Sequence, residues 1–537
     1  MFSLFRKFLA VALFVFAFEP PSVVAQESPE LTADDLTVLN VAETVVRLGP
    51  KCRDSIWPGY DLARMPLIVY IPDRWALLVN APPSAEGFLG YPDQWPALPT
   101  PALYHQGRYG DLVGQLAFNI MIDSTALAAV GFTGQSARGF LEYVVHENFH
   151  QFQKTRFGDI QWQREELYPI ENAANTALAC LEIHLLRDAL EFLQREERDS
   201  LRQRAAQFAA VRSLRWQQAD PYVDRYEQGQ EIREGTARYV ETRAVCLVTE
   251  KPHSSVSERT GDRLRQELAG LTLPGCIIDG LNRVLTDGVV PPENMPRNRI
   301  YPVGAAQGLL LDQLGVDWKT PAQQAGPDIR FVDLLTTALS LDSSRMAALV
   351  TEAKKAHDYE TIYRRSGQSI KTYRDGFDSA MAAFDSQPGI RVEISFSANS
   401  QMRSRYSNSK KWLVDNGTRE LRDHYDVYVL RSLTPEEVPA GMKDPALLDR
   451  LCREFMFQLK GSGLSETTDW STKDKVLVFY CPRLPSLTAD GVARELSGDA
   501  EYRFKQLRIS GANFELKAAR TGAISVSDRR ISIKLSS

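Results

Sequence analysis

The pentapeptide His146-Glu147-Asn148-Phe149-His150 constrains this chain more than any other part of its sequence. On an α-helix, residues four positions apart lie on one face, so both imidazoles can point at a single ion. Neutral imidazole nitrogens suit zinc, and a catalytic zinc keeps three protein ligands and one position for water. The spacing therefore predicts a zinc site on a helix, with Glu147 beside the open position. The alternative is a helix on which the two histidines are simply packed or solvated.

The residues around this motif predict the helix on which it lies. Apolar side chains recur there at helical spacing, at Phe140, Leu141, Val144, Val145, Phe149 and Phe152. Thr133 or Ser136 is a candidate N-cap, and the basic residues before Gly158 suit the negative end of a helix. Two histidines on so apolar a helix are costly to bury without polar partners. One metal ion would be a partner for both.

A site with two histidines needs a third protein ligand, and the chain offers several. Glu171, Glu182 and His184 are the nearest candidates downstream of His150. A histidine on an apolar helix, such as His184, is more often a packed residue than a ligand. A further candidate is Glu234, at the start of the segment Glu234-Gly235-Thr236-Ala237-Arg238-Tyr239-Val240-Glu241.

An H-E-x-x-H motif followed by a separate helix with the pattern E-G-x-x-x-Y-x-E resembles the gluzincin metallopeptidases, in particular the aminopeptidase N family. The resemblance implies that Glu234 is the third zinc ligand and Glu147 the general base. Glu241 lies two turns beyond Glu234 and is either a partner that orients an imidazole or a plain surface carboxylate.

A third segment, Tyr301-Pro302-Val303-Gly304 followed by several leucines, is similar to another element of that family. The tyrosine of that element helps to stabilise the oxyanion. The resemblance therefore gives Tyr301 a catalytic role, and the alternative is a tyrosine that only packs at the start of a helix.

Two features depart from the aminopeptidase N pattern. His150 and Glu234 are 84 residues apart, far more than the short spacer of that family, and the extra residues at about 172–218 predict an amphipathic helical pair. An antiparallel pair returns the chain close to its starting point, so the long spacer is compatible with Glu234 as a ligand. The chain also lacks a G-x-M-E-N segment before the motif, so the resemblance does not imply aminopeptidase activity.

Length, charge and leader sequence define the class of protein. The 537 residues are enough for two or three domains. Residues 1–25 predict a signal peptide with cleavage near Ala25, and no later stretch is long and apolar enough for a membrane span. Removal of Arg6, Lys7 and Glu19 with that peptide changes the formal charge from −5 to −6, which argues against nucleic-acid binding. We therefore expect a soluble exported protein, either periplasmic or secreted, and the alternative is an uncleaved N-terminal segment that anchors it in the membrane.

Six cysteines in an exported chain permit disulfide bonds, and none of their spacings is the C-x-x-C of a cysteine zinc site. The pair favoured by the sequence is Cys452 with Cys481, because both fall in the C-terminal region. Other pairings remain open.

The predicted fold class is α+β. A β-containing subdomain at 26–135, with strands at 66–71, 75–79, 116–122 and 125–130, precedes a helical zinc metallopeptidase domain at 136–385. The resemblance implies that the helical domain is zincin-like and that the small sheet before it is a gluzincin N-terminal subdomain, whose edge strand pairs with an extended substrate. Residues 390–537 predict a β-rich or α+β C-terminal domain. Its strands are expected at 391–397, 425–430, 475–480, 504–509 and 531–535, and one helix at 444–460.

These observations predict an exported zinc-dependent metallopeptidase of the gluzincin type that acts on a peptide or protein substrate. In this hypothesis His146, His150 and Glu234 bind Zn²⁺, Glu147 moves the proton and Tyr301 stabilises the oxyanion. One alternative is an exported binding protein on a metallopeptidase scaffold. Another is a zinc hydrolase with a non-peptide substrate.

Overall fold

The computed structural model describes most of the chain. The described residues are 31–53, 55–81, 85, 88–107, 128–157, 164–250, 262–397, 403–406, 411–432, 455–496, 499–527 and 529–536. The predicted signal peptide, the predicted strand at 116–122 and Cys452 lie outside these residues, and so does most of the predicted helix at 444–460.

The described residues of the N-terminal part form the helix α1 and a small sheet. Thr32 begins α1 (Ala33–Cys52) in a capping box with Asp35. The strands are β1 (Leu67–Ile71), β2 (Trp75–Val79), β3 (Leu89–Gly90), β4 (Ala102–Gln106) and β5 (Ala128–Gly131). Their order is β3-β4-β2-β1-β5, with β5 parallel to β1 at one edge of the described sheet. The predicted strands at 66–71 and 75–79 are confirmed. Of the strand predicted at 125–130, the described part is confirmed as β5.

The helix of the H-E-x-x-H motif, α2 (Ala137–Arg156), follows directly after β5. Its N-cap is Ser136, whose hydroxyl oxygen accepts a hydrogen bond from the backbone N–H of Gly139 at 3.0 Å. The apolar face predicted from the sequence is buried in the core. The predicted helix is therefore confirmed. It ends at Phe157 in extended backbone, and Gly158 lies outside the described residues.

In the described residues from 164 to 385 the chain is mainly helical. Within the described residues its helices are α3 (Ala173–Gln194), α4 (Arg198–Gln218), α5 (Pro221–Gln230), α6 (Thr236–Glu250), α7 (Asp262–Leu268), α8 (Leu273–Arg283), α9 (Ile300–Gln313), α10 (Lys319–Ala325), α11 (Phe331–Ala338), α12 (Ser343–Ala356) and α13 (Tyr359–Asp385). A π-helical turn, Glu231–Gly235, joins α5 to α6.

The helical insertion predicted at about 172–218 is confirmed as α3 and α4. Glu196, in the three-residue connection between them, has φ of 61°, and the two helices pack along each other. Packed helices joined by so short a turn run antiparallel. The insertion therefore brings the chain back towards α2.

A buried network of charges holds the insertion against the rest of the helical body. Its members are Glu182, Arg212, Arg215, Glu227, Glu231 and Arg299, three carboxylates and three guanidinium groups. Arg215 pairs with Glu182 at 2.6 Å and with Glu227 at 2.5 Å, and all three side chains are fully buried. Charges buried this deeply are tolerated because each has a partner of opposite sign.

The C-terminal part is a β-rich region with its own apolar core. Its strands are β6 (Ile390–Ser397), β7 (Arg403–Tyr406), β8 (Lys411–Val414), β9 (Arg419–Arg431), β10 (Phe455–Asp469), β11 (Asp474–Cys481), β12 (Ser486–Ala489), β13 (Val492–Arg494), β14 (Ala500–Phe504), β15 (Leu507–Ser510), β16 (Phe514–Ala518), β17 (Gly522–Ser527) and β18 (Arg530–Leu535). The main sheet has the order β13-β12-β15-β16-β10-β11-β6-β18-β17-β14, and β9 pairs with β7, β8 and β10. The α+β fold class, with a small N-terminal sheet and a β-rich C-terminal domain, is therefore confirmed.

Two C-terminal predictions are wrong in detail. Residues 455–460, placed in a helix at 444–460, begin strand β10, because Phe455, Phe457 and Leu459 alternate into the core and pair with β9 and β16. The strand predicted at 504–509 is two strands: β14 ends at Phe504 and β15 begins at Leu507.

The C-terminal part contacts the helical body through residues 164–171. Glu171 accepts a hydrogen bond from the backbone N–H of Asp415 at 2.7 Å, and Arg374 bridges Glu171 and Asp415 at 3.0 and 2.7 Å. Arg164 lies over the ring of Trp470, 4.9 Å from its centroid. Residues 164–171 therefore pack against both the helical body and the β-rich C-terminal part. None of the helices in the described ranges has the length and apolar composition needed to cross a lipid bilayer.

Candidate metal centre

Three side chains from distant parts of the chain meet at one point. Nε2 of His146 and Nε2 of His150 each lie 3.2 Å from the same oxygen of Glu234, Oε2. The three residues are buried, with 7, 8 and 4 % of their surfaces exposed. Donor atoms bound to one tetrahedral ion at about 2.0–2.1 Å are about 3.3–3.4 Å apart. The two distances from the imidazole nitrogens to Glu234 thus fit a shared ion.

Glu147 adds a second carboxylate to the group. One ligand atom from each of His146, Glu147 and His150 lies within 4.8 Å of the other two, and this group can hold a metal ion. Two carboxylates therefore approach the histidine pair: Glu147 from the same helix, and Glu234 from the π-helical turn. π-helical turns within helices are frequent at functional sites, because the wider turn displaces a side chain from its regular position.

The opposite nitrogen of each imidazole has its own partner. Nδ1 of His146 lies 2.6 Å from Oε2 of Glu241, and Nδ1 of His150 lies 2.7 Å from Oε1 of Gln153. Both partners are acceptors, so each Nδ1 carries the proton in these bonds. In neutral imidazoles Nε2 is then the lone-pair nitrogen, which faces the space beside Glu234. Of the two interpretations of Glu241 that the sequence leaves open, the observed contact is that of a partner for His146.

Gln153 also connects the two elements of the centre. Its Nε2 donates towards the carbonyl oxygens of Ile232 and Arg233, at 3.2 and 2.9 Å, and towards the hydroxyl oxygen of Thr236 at 2.8 Å. That hydroxyl donates to the carbonyl of Ile232, so it accepts from Gln153. The amide of Gln153 thus holds His150 on one side and the turn that presents Glu234 on the other.

The charge network behind the π-helical turn fixes its other end. Glu231, the first residue of the turn, accepts from Arg212 at 2.6 Å. Arg212 also pairs with Glu182 at 2.9 Å. The insertion therefore helps to place Glu234, three residues further on.

Burial and charge act against each other in the centre. Burial lowers the pKa of His146, but the charge of Glu241 and the hydrogen bonds with Glu234 and Glu241 outweigh it and raise that pKa to about 10. Burial acts to raise the pKa of Glu234, but hydrogen bonds from both histidines hold that pKa well below its usual range. The centre concentrates carboxylate charge, which is neutralised by a protonated imidazole or by a cation.

Tyr301 lies beside the histidines, at the start of α9. Its ring stacks on that of His146, with 5.7 Å between centroids, and its hydroxyl accepts from Nε of Arg297 at 3.3 Å. Burial and the charge of Glu234 raise the pKa of Tyr301 to about 12, although Arg297 acts to lower it. The hydroxyl is therefore protonated at neutral pH, and it hydrogen-bonds with Glu234.

The other candidate third ligands have different partners. Glu171 pairs with Arg374, Glu182 is bound by Arg212 and Arg215, and Nε2 of His184 lies 3.1 Å from the carbonyl oxygen of Gly288. The structure brings together His146, Glu147, His150, Glu234 and Tyr301, and it leaves these three elsewhere.

Sequence reasoning missed Gln153 and Arg297. Gln153 lies three residues after His150, so helical spacing could have placed it on the histidine face of α2. Arg297 lies one turn before Tyr301 but precedes the first residue of α9, and the sequence carries no comparable signal for it.

The comparisons with known proteins give no further guide to the centre. No protein-family model, curated protein or solved structure matches this chain.

Proposed function

We propose that this chain is an exported zinc-dependent metallopeptidase that resembles the gluzincins. The observation that supports it best is the approach of Nε2 of His146 and Nε2 of His150 to one oxygen of Glu234, each at 3.2 Å. Two imidazole nitrogens and a carboxylate oxygen suit zinc, whereas magnesium and calcium prefer all-oxygen sites. When bound, zinc would lower the pKa of a coordinated water to about 7 and polarise a substrate carbonyl.

Glu147 is the general base of the proposed reaction. It directly follows His146 in the sequence, and its carboxylate belongs to the group of close ligand atoms. In the proposed role it accepts a proton from the attacking water and passes it to the departing amine nitrogen. Proton transfer by a positioned carboxylate contributes about 10²–10⁴-fold to rate.

Tyr301 is the proposed donor to the oxyanion. Its hydroxyl stays protonated at neutral pH, and its ring lies against His146, next to the reacting groups. A donor aimed at the carbonyl oxygen stabilises the charge that develops on it, an effect typically worth about 2–4 kcal/mol of barrier.

Two other functions would use the same residues differently. One is an exported binding protein on this scaffold, and the other is a zinc hydrolase with a non-peptide substrate. The hydrogen bonds that the two Nδ1 atoms donate to Glu241 and Gln153 favour a working metal centre over a retired one, because such partners orient ligands and raise metal affinity. The peptidase and the other zinc hydrolase differ in the class of substrate that they cleave, so cleavage of a peptide distinguishes them.

The test is peptide cleavage by the full chain, with bound metal measured in the same samples. We expect about one zinc ion per chain and cleavage of a peptide library that a chelator abolishes and added zinc restores. Glu147→Gln should keep the zinc and lose about 10²–10⁴-fold in turnover. Glu191→Gln, a surface carboxylate on α3, is the matched control and should retain full activity. Cleavage that survives both the chelator and Glu147→Gln would refute the proposal, as would a chain that binds no metal.

A further inference from the structure

Two cysteines of the helical body lie together outside the metal centre. Cys246 is on α6 and Cys276 is on α8, and each has 2 % of its surface exposed. The structure holds both as thiols, and their side chains hydrogen-bond to each other. They are 30 positions apart in the sequence, so only the fold brings them together.

The surroundings of Cys276 favour its thiolate. Nη2 of Arg138 lies 3.5 Å from its sulfur, and Cys276 is in the first turn of α8, where the N-cap Thr272 accepts from the N–H of Gly275 at 3.2 Å. The positive end of a helix and a nearby guanidinium both stabilise a thiolate. The bond from Cys246 and the charges of Arg138 and Arg238 lower the pKa of Cys276 to about 7, against the opposing effects of burial and Glu142.

We propose that Cys246 and Cys276 form a disulfide bond that links α6 to α8. The oxidant is a small disulfide such as oxidised glutathione. The Cys276 thiolate attacks one of its sulfurs, breaks its S–S bond and releases one glutathione thiolate. The Cys246 thiolate then attacks the Cys276 sulfur of the mixed disulfide and releases the second. The protein loses two electrons and two protons, and two glutathione molecules gain them.

The pair differs in reactivity from Cys180, another buried cysteine of the helical body. Burial raises the pKa of Cys180 to about 11, even though its sulfur accepts from the backbone N–H of Val290 at 3.1 Å. A thiol of that pKa is almost wholly protonated at neutral pH, so it exchanges slowly. Both thiols are buried in the folded chain, so exchange takes place in the partly folded chain, once Arg138 and the first turn of α8 lie beside Cys276 and before the helices close over the pair.

The bond would join two helices that flank the metal centre. α6 carries Glu241, the partner of His146. Gly280 of α8 packs against Pro302 of α9, where a β-carbon on Gly280 would lie 3.1 Å from Cβ of Pro302. The disulfide thus connects the helix that orients one histidine to the helix that supports Tyr301.

The test uses the full chain refolded from urea in a glutathione redox buffer. Proteolysis without reductant, followed by mass spectrometry, should yield a peptide pair joined through Cys246 and Cys276. That pair should be missing from Cys276→Ser and present in Cys481→Ala, which alters a cysteine of the C-terminal domain. Crosslinks only between other cysteines, or two alkylatable thiols at positions 246 and 276 after oxidation, would overturn the proposal.

A second measurement keeps the test decisive if a variant folds poorly. The disulfide bond would close a loop between positions 246 and 276, which are 30 residues apart. It should raise the Tm of the oxidised wild type by about 5 °C over its reduced form, because the closed loop lowers the entropy of the unfolded chain. The double variant Cys246→Ser/Cys276→Ser should show no such difference. Neither readout uses activity or metal, so the result does not depend on the proposed function.

Discussion

Gly235 and Gly304 lie against each other where the turn that presents Glu234 crosses α9, the helix that carries Tyr301 in its first turn. A β-carbon on Gly235 would lie 2.7 Å from Cα of Gly304, and one on Gly304 would lie 2.6 Å from Cα of Gly235. Only glycine permits backbones to approach this closely. The two glycines of the E-G and Y-x-x-G patterns therefore set the distance between the proposed metal ligand and the proposed oxyanion donor.

Alanine at either glycine should push the two helices apart. We expect Gly235→Ala and Gly304→Ala each to lower the free energy of unfolding by about 1–3 kcal/mol, because the clash is with backbone rather than a flexible side chain. Both should also weaken metal binding. Urea denaturation and a metal titration measure the two effects. Gly367→Ala on α13, with no atom within 4 Å of the added carbon, is the control and should be neutral or slightly stabilising.

Removal of the Glu234 carboxylate should empty the centre. Without it Glu147 is the remaining carboxylate in the group of donor atoms, because Glu241 is bonded to the opposite nitrogen of His146. Glu234→Ala should therefore lose nearly all bound zinc after dialysis while remaining folded. Metal analysis of wild type and variant side by side is the measurement. Glu293→Ala, at an exposed carboxylate, should keep the wild-type content. Full zinc content in Glu234→Ala would assign the third ligand to another residue.

Gln153 should be required for tight metal binding. Gln153→Ala removes the acceptor for Nδ1 of His150 and the donor to the turn of Glu234. We expect the Kd for zinc to rise about 10–100-fold, in line with other partners of metal-bound histidines. Gln153→Glu retains an acceptor but turns a carboxylate towards two carbonyl oxygens, so it should rescue only part of the affinity. Gln151→Ala, on the same helix and bonded to the surface residue Lys154, should not change the Kd.

Tyr301→Phe should reduce turnover while leaving substrate affinity nearly unchanged. Phenylalanine keeps the ring that stacks on His146 and removes only the hydroxyl. We expect kcat to fall about 10²–10³-fold with little change in KM, since a donor to the oxyanion acts in the transition state. Steady-state kinetics test this split, and Tyr363→Phe on the exposed face of α13 is the control. An unchanged kcat would leave Tyr301 with packing alone.

The buried network should make stability depend on Glu227. This carboxylate binds Arg215 at 2.5 Å and accepts from Trp216 at 2.9 Å and Tyr168 at 2.5 Å. Glu227→Gln removes the carboxylate charge that pairs with Arg299 and with one side of Arg215, so it should cost about 3–5 kcal/mol of unfolding free energy at pH 7. Glu191→Gln, at the surface of α3, should cost little.

The same residue gives a pH dependence of defined sign. Burial acts to raise the pKa of Glu227, but Arg215 and Arg299 outweigh it and hold that pKa well below the ordinary 4.5. A carboxyl with a depressed pKa contributes its full stability above pH 4.5 and loses it as pH falls below that value. The difference in stability between wild type and Glu227→Gln should therefore narrow below pH 4.5. Urea unfolding at several pH values would show a constant difference if the network did not titrate in this way.

The sequence predicts best where one local period dominates. The histidine-bearing helix and the α3–α4 pair follow the 3.6-residue repeat of their apolar positions, and both are confirmed. The prediction is wrong for residues 455–460. The helix signals that precede them adjoin a segment in which buried apolar residues recur at every second position. Pairing with β9 and β16 makes that segment a strand, and such pairing is not visible locally.

The metal centre is harder to predict from the sequence, because contacts between residues far apart in the chain position part of it. The spacing of His146 and His150 follows from one helix, whereas Glu234 is 84 residues away and is positioned by Arg212, Glu231 and Gln153. Those contacts depend on how α3 and α4 pack, so pattern alone offered several acids for the same position. The glycine pair shows the same limit, since neither glycine reveals its partner until the helices cross.

The contacts of residues 164–171 limit how the sequence of this protein can evolve. Trp470 and Asp415 cover one side of the segment, and Tyr168 on its other side reaches Glu227 inside the charge network. The β-rich C-terminal part therefore cannot be replaced by an unrelated domain without loss of these contacts. A chimera that kept the helices but exchanged the strands would need complementary changes along this seam, so the two halves are expected to have been inherited and altered together.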